Sequence, residues 1–208
     1  MEPDWASQHL QVIRTLMERS AIYRRALAPI MLLLGAVGVV AAIVGWSFRI
    51  ESGRGFVGLW LAVSVLTVIG AYMLARRQAL RDGELFWSPP TRRVTQALLP
   101  PLAAGALCSV FVTALGEGGA GAAWFNVPLW MSFYGCALHA AGFFTPRGIK
   151  LLGWLFVVFG GVLAAGLTTL PELPALRFGH LLMGLVFGGI HLSYGGYLYF
   201  TERRKNET

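Results

Sequence analysis

Charge is what this chain lacks most. Charged side chains make up 13% of its 208 residues, against roughly 25% in soluble globular proteins. So few charges cannot cover the water-facing surface of a globule this size. Cysteine is nearly missing: Cys108 and Cys136 are the only two, so a disulfide scaffold is excluded. Low hydrophobicity is missing too, since 56% of the residues are hydrophobic, and that excludes intrinsic disorder. The bilayer remains as the solvent that suits this composition.

What is present is a series of long runs without any Asp, Glu, Lys or Arg. They cover Leu27–Phe48, Gly55–Ala75, Val94–Gly116, Gly118–Pro146, Leu151–Pro171 and Phe178–Thr201. A helix needs about 20 such residues to cross roughly 30 Å of hydrocarbon, and the runs lack the period-two alternation of barrel strands. The expected fold class is all-α: a polytopic membrane protein of six transmembrane helices in three hairpins, over about 27–48, 56–75, 94–115, 123–144, 151–170 and 180–200. The domain reading is an amphipathic helix in 1–25, the six-helix domain in 26–201 and a basic tail in 202–208.

Lys and Arg set the orientation. Fourteen of the 17 fall before the first span, in the loops after the second and fourth, or in the tail, and only Arg49, Arg54 and Arg177 lie on the other side. Cationic loops stay on the cytoplasmic side, so both termini are expected to be cytoplasmic, in the bacterial inner membrane. The net charge of +7 then reflects topology and contact with anionic lipid. No recognition motif points to nucleic acid.

In the first 25 residues Trp5, Val12, Ile13, Leu16 and Tyr23 share one helical face and Arg14, Glu18 and Arg25 lie opposite. That pattern predicts an interfacial helix on the inner leaflet. Between the second and third spans, Pro89-Pro90 is expected to force an extended stretch, and Pro100-Pro101 to kink the third helix. Gly184 and Gly188 form a G-x-x-x-G pair, and Gly160-Gly161 and Ala103-Ala104-Gly105-Ala106 supply further small positions. Such residues let helices approach closely in lipid, here within the bundle.

No charge lies mid-span, although proton relays, ion pathways and voltage sensors depend on one. There is no H-E-x-x-H, Walker lysine, G-x-S-x-G or pair of carboxylates. The chain therefore reads as non-enzymatic, with no metal and no cofactor called for. Glu51, Glu117 and Glu172 occupy separate external turns and read as solvated.

The remaining intramembrane polarity lies in the fourth and sixth helices, which run in the same direction. Tyr134 and His191 are each 10 residues from the outer end of their spans, about 15 Å deep. Together with Tyr194 they form the candidate ligand-binding or interhelical polar cluster. His139 and Tyr197 match in depth as a secondary pair. The close approach is expected to come from Gly184, Gly188 and Gly135. Interhelical hydrogen bonds of this kind are mostly structural. Haem ligation by two histidines is disfavoured, because His139 lies about 7 Å deeper than His191.

Several segments together resemble a family of uncharacterised bacterial six-span membrane proteins. They are Ile13-Arg14-Thr15-Leu16-Met17-Glu18-Arg19-Ser20-Ala21-Ile22-Tyr23, Trp87-Ser88 with Thr91-Arg92-Arg93, Phe133-Tyr134-Gly135-Cys136-Ala137-Leu138, and Ile190-His191-Leu192-Ser193-Tyr194-Gly195. The resemblance runs the length of the chain. It implies the six-span topology, carries no mechanism, and directs attention to Tyr134, His191 and Tyr194. His139 departs from its pattern.

These readings lead to a non-catalytic regulatory or partner-binding membrane subunit. Its partners would be the lipid bilayer, anionic lipids included, and a cytoplasmic protein. The alternative is a carrier or binding protein for a small apolar ligand within the bundle, followed by a haem electron-transfer protein.

Overall fold

The computed structural model of the protein describes residues 26–83, 85–115, 120–145 and 147–206. The amphipathic segment 1–25 lies outside the described residues. All secondary structure among them is helical. In chain order the helices are α1 (Ala26–Ser47), α2 (Gly53–Arg81), α3 (Pro89–Leu115), α4 (Ala120–Trp124), α5 (Asn126–Ala141) and α6 (Arg147–Thr169). They are followed by α7 (Arg177–Met183), which passes through a π-helical segment, Gly184–Gly189, into α8 (Ile190–Asn206).

Among the described residues five helices are long and apolar enough to cross a membrane: α1, α2, α3, α6, and the continuous rod from Arg177 to Thr201. The span expected over 123–144 is instead divided. Its longer piece, α5, has 16 residues and reaches about 24 Å, short of the roughly 30 Å of hydrocarbon. Pro128 explains the break. It has no N–H to donate to the carbonyl of Trp124, four residues back, and its ring crowds that carbonyl. The ladder resumes one residue later, where the Leu129 N–H donates to the Phe125 carbonyl at 3.3 Å.

A second departure lies at Pro89-Pro90, which open α3 rather than holding an extended stretch before it. Proline suits the first helical turn, where an N–H would have no partner and its fixed φ is already helical. Helix α2 also outruns its charge-free core, which ends at Ala75, and continues to Arg81. Ser52 caps its start, its Oγ accepting from the Gly55 N–H at 3.2 Å, and Arg49 takes a left-handed φ of 50° in the tight turn from α1.

Two glycine seams bring the helices together. The first joins α1 to the final rod, antiparallel. A Cβ on Gly188 would stand 2.9 Å from the Val39 nitrogen and 3.2 Å from the Gly35 oxygen, and one on Gly195 would stand 2.9 Å from the Leu32 nitrogen. The second joins α5 to α6, also antiparallel. A Cβ on Gly135 would lie 2.6 Å from the Gly153 oxygen, and one on Gly153 would lie 2.6 Å from the His139 nitrogen. Only hydrogen fits at these points, so backbone meets backbone. The expectation that Gly184, Gly188 and Gly135 bring the fourth and last helices together is corrected: Gly184 and Gly188 face α1, and Gly135 faces α6.

Helix α3 lies along α5, where Gly105 accommodates Phe133. Phe56 of α2, Phe156 of α6, Val127 and Met131 of α5 and Leu176 before α7 form the fully buried core. This core fixes the lateral order of the helices around α5 and the final rod, where the interior polar groups lie.

Candidate functional site

Tyr134 stands on α5 and His191 opens α8, and their side chains meet. The Tyr134 Oη lies 2.6 Å from His191 Nε2. The other ring nitrogen, Nδ1, lies 2.6 Å from the Phe187 carbonyl oxygen. A carbonyl can only accept, so Nδ1 carries the proton, Nε2 accepts, and the tyrosine hydroxyl donates. The result is a one-way chain from Tyr134 through His191 to the backbone of Phe187.

The surroundings are dry and aromatic. The Phe156 ring stands edge-on to Tyr134 at 5.1 Å and lies 5.4 Å from His191. The Phe187 ring stacks on His191 at 6.3 Å and leans on Tyr134 at 5.2 Å. His191 is 1% exposed and Phe156 is fully buried. A buried imidazole without partners would cost several kcal/mol, roughly; here both nitrogens are occupied. The π-helical segment ends two residues before His191, and such wide turns recur where a helix must present a side chain out of ordinary register.

Tyr194 lies one helical turn further along α8. Its hydroxyl packs against Gly148 at the start of α6, and its ring stacks on Tyr197 at 6.3 Å. No hydrogen bond or ring contact joins it to Tyr134 or His191 among the described residues. The secondary pair is not formed. His139 lies between Phe143 and Trp154, 5.4 Å from each ring, whereas Tyr197 is 63% exposed. Equal depth was the basis of that pairing, but depth leaves the azimuth of each side chain around its helix undefined.

A second buried polar centre, not singled out from the sequence, surrounds His180 of α7. The Trp60 indole donates to His180 Nδ1 at 3.1 Å, and His180 Nε2 donates to the Ile50 carbonyl at 2.9 Å. An indole can only donate, which sets the tautomer. Phe56 lies 4.7 Å from the His180 ring and stacks on Trp130 at 6.0 Å. The Trp130 indole in turn donates to Ser109 Oγ, and that hydroxyl donates to the Gly105 carbonyl at 2.7 Å. The layer thus links α2, α3, α5 and α7. A histidine in the first turn of the last run was the signal available, but its partners are 120 and 130 positions away.

Among the described residues three buried side-chain atoms have no hydrogen-bond partner: Asn126 Oδ1, at the α4–α5 break, His139 Nδ1, and Arg177 Nε at the bundle end. Asn126 is fully buried, and its amide nitrogen reaches the Ala123 carbonyl at 3.4 Å. At the same end Glu51 lies 3.9 Å from Arg177, whose guanidinium lies over Trp46. No group of three or more His, Cys, Asp or Glu side chains able to hold a metal ion occurs among the described residues.

No family model matches the chain, and neither the curated proteins nor the solved structures contain a match.

Proposed function

We propose that the protein is a non-catalytic, partner-binding subunit of the bacterial inner membrane, with six crossings in three hairpins and both termini cytoplasmic. α4 and α5 together make the fourth crossing, and the charge asymmetry of the loops supports the orientation.

The observation that carries the functional reading is a contrast in burial. His191 and His180 are closed on their neighbours, with Tyr134, His191 and Phe187 bonded in series and both nitrogens of His180 occupied. Meanwhile only 11% of the most apolar window of α2, and of α3, is buried, against 39% for α1 and for the final rod. Val65, Ile69 and Met73 of α2 and Leu107 and Phe111 of α3 point away from the bundle. In the proposed subunit this broad apolar surface packs against a partner's helices within the membrane.

Photocrosslinking from positions 69 and 107 in the native membrane tests the reading. A discrete protein adduct, specific to these positions and not formed from the Gly135 side of the bundle, is expected. Adducts to lipid alone from both positions would overturn it.

The carrier reading is favoured by one observation, the unpartnered Oδ1 of the fully buried Asn126 beside the Pro128 break. A small molecule with a hydrogen-bond donor, extracted in stoichiometric amount from purified protein and lost in Asn126→Leu, would select it.

A further inference from the structure

The turn between α5 and α6 ends in a group that the interior clusters leave unexplained. Lys150 sits in the first turn of α6, and that turn contains no acidic residue. A cation at a helix N-terminus faces the positive end of the helix dipole. No acidic side chain pairs with Lys150 among the described residues. Its ammonium instead rests 3.5 Å from the centre of the Phe143 ring, a ring that is 64% exposed. His139, one turn before Phe143, brings an unbonded Nδ1 into the same cluster, and Trp154, one turn after Lys150, packs edge-on against His139.

Below this cation the outward face of α6 is uniformly apolar. Leu151, Trp154, Leu155, Val158 and Val162 follow one another at helical spacing, and all are exposed. The face is therefore a positive charge flanked by aromatic rings at the end of a span, continuing into an apolar track. A headgroup phosphate satisfies the charge, and an acyl chain fits the track.

We propose that Lys150 and the rings beside it bind the headgroup of an anionic phospholipid, with the Lys150 ammonium meeting the phosphate, His139 and Trp154 flanking it, and the stripe from Leu151 to Val162 seating one acyl chain. The site rests on the membrane reading of α6 and is independent of any protein partner. Charge complementarity selects the lipid, because Lys150 stands at the end of the span, where anionic headgroups are the counter-charge that the membrane itself supplies.

Native mass spectrometry of the full-length protein in detergent, titrated with phosphatidylglycerol or phosphatidylcholine, tests the site. The expected result is that phosphatidylglycerol stays bound at collision energies that strip phosphatidylcholine. Lys150→Gln should weaken its retention about fivefold, the effect of one surface cation on an anionic lipid, and Lys150→Arg should preserve it. Circular dichroism and a single elution peak establish that the variants fold. Arg54→Gln removes an equal charge at the opposite end of the bundle and should leave retention unchanged. Equal retention of the two lipids, a Lys150→Gln variant that behaves like Arg54→Gln, or displacement of the lipid by inorganic phosphate at the same concentration overturns the proposal. A chain that fails to insert into vesicles overturns the membrane reading as well, whereas one that inserts without lipid preference overturns the site alone.

Discussion

The Tyr134 hydroxyl donates to His191 Nε2 across 57 positions of sequence, at 2.6 Å, and this bond joins α5 to α8 in the middle of the bundle. The two residues lie on helices that run in the same direction, and neither helix reaches the other through its glycines. The aromatic rings of Phe156 and Phe187 fill the space that glycine leaves elsewhere.

If this bond is structural, His191→Phe should lower stability by about 0.6–2 kcal/mol, the range for interhelical hydrogen bonds. Tyr134→Phe should cost a similar amount, and the double variant should cost less than the two added. Unfolding of the purified protein in mixed micelles measures all three. Additive losses would show that the two side chains act independently. Loss of partner capture with unchanged stability would mark the pair as functional.

His180 and His191 are each bonded through both ring nitrogens, but the Phe187 carbonyl beside His191 also accepts from the Ile190 N–H. His180→Phe leaves both the Trp60 indole and the Ile50 carbonyl without partners. The expected loss is about 1–3 kcal/mol, the cost of stranding buried polar groups, and it should exceed that of His191→Phe in the same unfolding assay.

The glycine seams make an unequal pair of predictions. Gly188→Ala places a methyl group against the backbone of α1 and should destabilise by about 1–3 kcal/mol, as overpacking does. Gly196, which meets nothing within 4 Å, should accept alanine with a change of less than about 0.5 kcal/mol. Equal effects would mean that α1 and the final rod do not pack as described.

Pro128→Ala restores an N–H four residues after Trp124. Helix α4 should then run unbroken into α5, and the amide at position 128 should become protected in hydrogen exchange. An amide at 128 that exchanges as fast as a loop would show that something other than proline breaks the span.

The topology predicts that position 82 faces the cytoplasm and position 119 the exterior. In a variant without Cys108 and Cys136, an impermeant thiol reagent on intact cells should label a cysteine at 119 and not at 82. The reverse pattern would invert the protein in the membrane.

The helical, membrane-suited character of this chain was legible because it depends on local composition. A run without charges long enough to cross hydrocarbon must close its backbone hydrogen bonds internally, and a helix does so within the run itself. The shared depth of Tyr134 and His191 was legible for the same reason, since rise per residue is constant along a helix. The effect of Pro128 on the fourth run was also written locally, as the loss of one donor, yet hydrophobicity outweighed it in the reading of the sequence. What only the tertiary structure decided is which face of each helix meets which neighbour. That choice turned Gly188 towards α1 and Gly135 towards α6, parted His139 from Tyr197, and brought Trp60 and Ile50 to His180. In lipid the apolar faces of a helix are nearly equivalent, so azimuth is set by where backbones can touch and where buried donors find acceptors, and those partners lie on segments far away in the chain.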